Sequence, residues 1–128
     1  PSGSGKSLLA LDLLDHFALR GEAALLVADD GVALTADGDG LAMRAPEAIA
    51  GLIELRGRGI VPYPHAERAA VDLVVDLVET LDRMPEEEAF STVLAGAAIP
   101  RCPVPRRGAA DPVHQRLLVL AALRALDA

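Results

Sequence analysis

Apolar positions at helical spacing predict one helix near each end of the chain. From Leu8 the apolar residues recur with a period near 3.6, and Gly21 is a suitable helix end. The residues that follow this period are Leu8, Leu9, Leu11, Leu14, Phe17 and Ala18. Residues 112–126 predict a closing amphipathic helix, with Asp111 as its N-cap and Pro112 in the first helical position.

Short apolar runs between these helices predict strands. Residues 24–28 form a run typical of a buried strand in a parallel sheet. Residues 32–35 and 41–44 predict a hairpin through the Gly/Asp-rich segment 36–40. Residues 51–55 predict a further strand, which leads into a glycine-rich loop.

The second half of the chain is less regular. Residues 71–78 fit both a strand and a helical stripe, and their many valines favour the strand. Residues 82–90 are charged and predict a loop with one helical turn, and residues 98–104 predict a short strand broken by prolines. Together the elements predict an α/β domain with a mixed sheet and flanking helices.

Composition limits the classes of protein to which the chain can belong. Its 128 residues predict a single domain over 1–128, and the 52% of apolar residues can form a core in which Leu, Val and Ala replace aromatics. The net charge of −7 argues against a nucleic-acid-binding surface. Cys102 is the only cysteine, so no internal disulfide is possible and a reducing cytoplasm is expected. No apolar run approaches the length of a membrane span.

The first seven residues, Pro-Ser-Gly-Ser-Gly-Lys-Ser, match the end of a phosphate-binding P-loop. Gly3 and Gly5 allow the backbone to direct N–H groups at an anion, and the following helix adds the positive end of its dipole. Lys6 is expected to reach the β- and γ-phosphates of a nucleoside triphosphate or similar polyphosphate, and Ser7 to bind Mg²⁺. The predicted nucleotide-binding residues are Ser2, Gly3, Ser4, Gly5, Lys6 and Ser7. Because the pattern starts inside the motif, we expect a fragment that lacks the strand before the loop.

Two adjacent carboxylates, Asp29 and Asp30, follow the predicted strand 24–28. The carboxyl end of such a strand is where a P-loop protein places a second acidic element beside the nucleotide. Neighbouring side chains on a strand point to different sides, so different roles are expected for the two. The sequence Asp-Asp-Gly is also a good turn in its own right.

A third group of polar residues follows the predicted strand 51–55. Glu54 and Arg56 are two residues apart and would share one face of a strand, where one could bind metal and the other phosphate. Gly57 and Gly59 permit a close approach of the backbone to a ligand. The alternative is a surface ion pair followed by a glycine turn. Arg83 could neutralise charge on a transferring phosphoryl group, although a solvated arginine is the default.

In this order, the three segments resemble the catalytic domain of HPr kinase/phosphorylase. The matching residues are the P-loop tail, Leu-Val-Ala-Asp-Asp at 26–30 and Gly-Leu-Ile-Glu-Leu-Arg-Gly-Arg-Gly-Ile-Val at 51–61, of which the last is the most specific. The resemblance covers most of residues 1–105. It departs at residues 99–108, which keep prolines and arginines but lack the Pro-Gly-Arg-Asn of members with strong phosphorylase activity.

The resemblance implies a P-loop α/β fold like that of phosphoenolpyruvate carboxykinase, usually assembled into a homohexamer. It implies ATP and Mg²⁺ as cofactors and a serine of the phosphocarrier protein HPr as acceptor. Lys6 would contact phosphate, Ser7 and Glu54 would hold Mg²⁺, and Asp30 would accept the serine proton. Arg83 lies in a segment similar to the one that carries a family catalytic arginine. Asp29, Arg56, Gly57 and Gly59 would have supporting roles.

Two alternative functions remain open at the level of sequence. One is a kinase of the same fold with a small-molecule acceptor. The other is an ATP-binding regulatory module without transfer activity, which would have no use for a proton acceptor.

Overall fold

The protein is described here by a computed structural model that covers residues 5–29, 31–38, 40–47 and 50–127. Its α-helices in these ranges are α1 (Lys6–Leu19) and α2 (Pro112–Leu126), and a 3-10 helix spans Glu87–Phe90. The strands are β1 (Ala33–Asp37), β2 (Gly40–Arg44), β3 (Leu52–Leu55), β4 (Gly59–Pro62), β5 (Arg68–Ala70), β6 (Val74–Val78), β7 (Ser91–Leu94) and β8 (Ala97–Pro105). None of the helices in these ranges is long and apolar enough to cross a membrane.

Both predicted helices are present, and local sequence explains their ends. After α1, Gly21 has a φ of 75° and its N–H donates to the Ala18 carbonyl, while Glu22 N–H donates to the Phe17 carbonyl. These two bonds form a Schellman motif, which requires a left-handed residue where Gly21 stands. At the start of α2, Asp111 Oδ1 accepts a hydrogen bond of 2.9 Å from the N–H of His114, as predicted.

In the part of the chain that the structure describes, the strands form three small sheets rather than one. β1, β2 and β5 form an antiparallel sheet that contains the predicted hairpin, and β3 pairs antiparallel with β4. The third sheet is mixed, because β8 runs parallel to β6 and antiparallel to β7. Residues 74–78 thus form a strand, as their valines predicted.

The prediction of a regular strand at residues 24–28 is wrong in part. Leu26 and Val27 are buried as expected, and Leu26 makes a parallel bridge to His65. The bridge consists of Leu26 N–H to the Pro64 carbonyl and Ala66 N–H to the Leu26 carbonyl. The segment does not extend into a strand because Pro62 and Pro64 interrupt the backbone donors of its partner.

The short broken strand predicted at residues 98–104 is also wrong, because β8 is continuous over nine residues. Its first half pairs with β7 and its second half with β6. Within the described ranges, each half therefore has one edge without a strand partner. A proline, which lacks an N–H, is tolerated at such an edge, and this accommodates Pro100 and Pro103.

Three clusters of buried side chains connect the elements. The first joins Leu14 of α1, Leu26 and Ile53 of β3. The second is formed by Leu41, Ala97 and Ile99. The third packs Cys102 and Val104 of β8 against Val119 of α2.

An ion pair links the two helices directly. Arg116 Nη1 lies 2.9 Å from Asp12 Oδ1, and both side chains are partly buried. This ion pair helps to fix the position of α1 relative to α2. It therefore also helps to place the N-terminus of α1 relative to the loop before α2.

Candidate functional site

The first core cluster brings three separate polar segments together. Ile53 is 1% exposed, so the alternation of β3 directs the next residue, Glu54, outwards. Leu14 holds α1 against the same cluster, and the buried Leu26 fixes the segment that ends at Asp29. The start of α1, the end of the 24–29 segment and β3 therefore meet on one side of this cluster.

Asp29 lies at the centre of the meeting point. Its Oδ1 accepts a hydrogen bond of 2.5 Å from the Ser7 hydroxyl. Its Oδ2 accepts one of 2.9 Å from the backbone N–H of Glu54. One half-buried carboxylate thus links the P-loop serine, the acidic segment and the 51–61 segment.

The described end of the predicted phosphate loop has the conformation that the motif requires. Gly5 has a φ of 92°, in the left-handed region that favours glycine, and its carbonyl accepts a hydrogen bond of 3.0 Å from Leu9 N–H. α1 starts at the next residue, with no acidic side chain in its first turn. The positive end of this helix is therefore not neutralised from within its own first turn. Ser2, Gly3 and Ser4 lie outside the described residues.

The predicted partnership of Glu54 and Arg56 on one strand face is wrong. β3 ends at Leu55, and Arg56 lies in the turn that joins β3 to β4. Arg58 N–H closes this turn by donating to the Leu55 carbonyl at 2.8 Å. The turn needs left-handed backbone at both glycines, with a φ of 94° at Gly57 and 102° at Gly59, because the hairpin must reverse within a few residues.

Arg83 lies in the wall of a cavity between α2 and β8 that has a volume of about 760 Å³. This cavity is lined mainly by apolar side chains and contains none of Ser7, Asp29 and Glu54. Asp30 lies outside the described residues, so its predicted role as proton acceptor stays a prediction.

The donor set at Asp29 suits a hard divalent cation. The side chains of Ser7, Asp29 and Glu54 carry oxygen donors only, which is the ligand type that Mg²⁺ takes, usually with one or two carboxylates and the substrate phosphates. Within the described ranges no group of three His, Cys, Asp or Glu side chains could hold a metal without such help.

Reasoning from the sequence underestimated two residues of this site. Asp29 was expected in a supporting role, yet it makes both hydrogen bonds that join the segments. Arg107, in the loop after β8, packs directly against Gly5. In the sequence, Arg107 was noted only as one of the arginines kept in residues 99–108.

Comparison with known proteins gives a match to the fold. No protein-family model matches the chain, and no curated protein matches it. A solved structure, that of the HPr(Ser) kinase/phosphatase from Coxiella burnetii, matches with a TM-score of 0.73 and 24% sequence identity. The match covers 100% of this chain and 87% of that one. The chain has an HPr kinase-like α/β fold, which confirms the fold class predicted from the sequence.

Proposed function

We propose that this chain, which has the fold of an HPr kinase/phosphatase, is an ATP-dependent kinase that phosphorylates a serine of HPr. The proposal treats residues 1–128 as one catalytic domain that works in the cytoplasm as a homo-oligomer, a hexamer by resemblance. We propose HPr as the acceptor because the matched structure is that of an HPr(Ser) kinase/phosphatase and because the sequence resembles that family. The acidic balance of −7 gives no support to a nucleic-acid partner.

The observation that carries the proposal is the double hydrogen bonding of Asp29. A P-loop serine, an acidic residue and the 51–61 segment are far apart in sequence, and the carboxylate joins them through bonds of 2.5 Å and 2.9 Å. Phosphoryl transfer depends mainly on positioning the reacting groups and on neutralising their charge. A site in which these three groups converge supports this type of reaction.

The phosphates of ATP would lie at the N-terminus of α1. Backbone N–H groups of the loop around Gly5 and the helix dipole attract the anion, and Lys6 adds a full positive charge. Ser2, Gly3 and Ser4 complete the proposed loop.

Ser7 and Glu54 would hold Mg²⁺, with Asp29 supporting them. When bound, the ion supplies neutralisation of the charge that develops on the phosphoryl oxygens. Asp29 accepts a hydrogen bond from the Ser7 hydroxyl and another from the backbone N–H of Glu54, so that the hydroxyl and the backbone that carries Glu54 are positioned by one carboxylate.

Asp30 is the proposed proton acceptor for the serine of HPr. Both oxygens of Asp29 already accept hydrogen bonds, which suits Asp29 to positioning and leaves proton transfer to its neighbour. Arg83 is proposed as a further catalytic residue on the sequence resemblance alone. Arg56, Gly57 and Gly59 would shape the turn that borders the acceptor.

A panel of acceptors tests the proposal. The protein is incubated with γ-labelled ATP, Mg²⁺ and either HPr or a set of small hydroxylated molecules. The proposal expects label on HPr alone. Label on a small molecule would identify a kinase of that molecule, and tight ATP binding with no labelled acceptor would identify a regulatory module.

A further inference from the structure

Arg107 lies against the last glycine of the phosphate loop. A Cβ atom built on Gly5 would stand 2.9 Å from Cβ of Arg107 and 3.5 Å from its Cδ. Real Cβ atoms do not approach other carbons this closely, so the arginine stem occupies the space that only a glycine leaves open. The aliphatic part of Arg107 therefore packs against Gly5, the last glycine of the loop that is proposed to bind phosphate.

The backbone around Arg107 is held from two sides. Arg106 N–H donates to the Val78 carbonyl at 2.8 Å, and its guanidinium pairs with Glu79 at 2.7 Å. The same guanidinium donates to the Arg107 carbonyl at 3.0 Å, and Ala110 N–H donates to the Arg106 carbonyl at 3.2 Å. These bonds fix the position from which the Arg107 side chain starts.

The loop is also fixed with respect to α1. It leads directly into α2, and the 2.9 Å ion pair between Arg116 and Asp12 ties α2 to α1. Gly5 immediately precedes α1, and Arg107 lies in the loop before α2. The ion pair between α1 and α2 therefore supports the contact between Gly5 and Arg107. The contact is thus supported by the packing of both helices.

The charge of Arg107 is available to a ligand. The residue is exposed, and among the described residues its guanidinium has neither an ion pair nor a hydrogen bond. Three other arginines, Arg101, Arg106 and Arg116, are each paired with a carboxylate. The Arg107 stem contacts Gly5 at the end of the proposed anion-binding loop, and its guanidinium offers a planar fork of donors that matches phosphate oxygens.

We infer that Arg107 binds the phosphates of the nucleotide in the loop at Gly5 and supplies a second cation beside Lys6. This inference rests on the proposed function, because it requires that the loop binds a nucleotide. It adds to that function a phosphate ligand from the segment between β8 and α2.

The test uses Arg107→Gln, which keeps Cβ, Cγ and Cδ against Gly5 and removes only the charged fork. Dissociation constants for ATP with Mg²⁺ and for adenosine are measured by calorimetry on the wild type and the variant. A charge-assisted hydrogen bond is lost, so we expect the dissociation constant for ATP to rise about tenfold to a hundredfold. Adenosine binding and the melting temperature should not change.

Two further variants separate charge from structure. Arg124→Gln removes the same charge from the last turn of α2, at the opposite end of that helix, and should leave ATP binding unchanged. Arg107→Lys keeps the charge without the fork and should lose less affinity than Arg107→Gln.

The outcomes are distinct. If the wild type binds ATP and Arg107→Gln binds it equally well, the inference about Arg107 is wrong and the proposed function stands. An equal loss for ATP and adenosine, or a lowered melting temperature, would show a structural role and also overturn the inference. If the wild type binds no ATP, the proposed function and the inference fail together.

Discussion

Replacing Asp29 by alanine removes the contact on which the candidate site depends. The Ser7 hydroxyl loses the acceptor that lies 2.5 Å away, and the Glu54 N–H loses the one at 2.9 Å. An alanine side chain offers neither group a hydrogen-bond acceptor. We therefore expect the start of α1 and β3 to lose their direct polar link.

The size of the effect follows from the two bonds. A hydrogen bond to a charged group contributes about 1.5–3 kcal/mol to stability. Asp29 is half-buried and Glu54 is exposed, so solvent screening favours the lower end for each bond. Asp29→Ala should then lower the free energy of unfolding by about 3 kcal/mol, and Asp29→Asn, which keeps one acceptor oxygen, by about 1.5 kcal/mol.

Urea unfolding measures this difference, provided that the slope of the transition is the same in each variant. Asp72→Ala is the matched control, because Asp72 is exposed and makes no hydrogen bond or ion pair within the described ranges. It should change stability by less than about 0.5 kcal/mol. If Asp29→Ala is no less stable than Asp72→Ala, the reasoning that Asp29 joins the three segments is refuted.

Other predictions concern the core, a helix cap and the cysteine. Ile53 is 1% exposed and Ile60 is 64% exposed, so Ile53→Ala should cost about 2–5 kcal/mol in urea unfolding and Ile60→Ala should cost little; similar costs would contradict the packing. Asp111→Ala should destabilise the protein by about 1 kcal/mol through loss of the N-cap of α2, and an unchanged unfolding midpoint would contradict the cap. Burial raises the pKa of the Cys102 thiol above its usual range, so the folded state favours the protonated thiol and the stability of the fold decreases as pH rises from the usual pKa to the raised one. Iodoacetamide at pH 8 should consequently alkylate Cys102 much more slowly in buffer than in urea, and equal rates would show that the thiol is accessible.

Local signals in the sequence predicted the helices and the hairpin because each signal acts over a few residues. Asp111 and Pro112 mark the start of α2, and Gly21 marks the end of α1, without any tertiary contact. The alternation that buries Ile53 also directed Glu54 outwards correctly.

The errors arose where pairing with distant residues decides the structure. Whether Pro100 can lie within a strand depends on which edge of β8 is paired, and its sequence neighbours do not determine this. Leu26 makes only a single bridge because its partner segment, about forty residues later in the chain, contains prolines.

The same limit applies to the site. The motif predicted that Ser7 and Asp29 serve one ligand, but only the fold reveals that a single carboxylate holds both Ser7 and the Glu54 backbone. The contact of Arg107 with Gly5 could not be predicted from local sequence, because about a hundred residues separate the two positions.

The central claim is that ATP bound at the P-loop phosphorylates a serine of HPr with Asp30 as proton acceptor. The most direct test follows label from γ-labelled ATP into HPr, maps the labelled residue, and compares the wild type with Asp30→Asn at equal occupancy by ATP. We predict one phosphoserine with the wild type and none with Asp30→Asn, although the variant binds ATP almost as well. Unlabelled HPr with the wild type, or equal labelling by Asp30→Asn, would contradict the account.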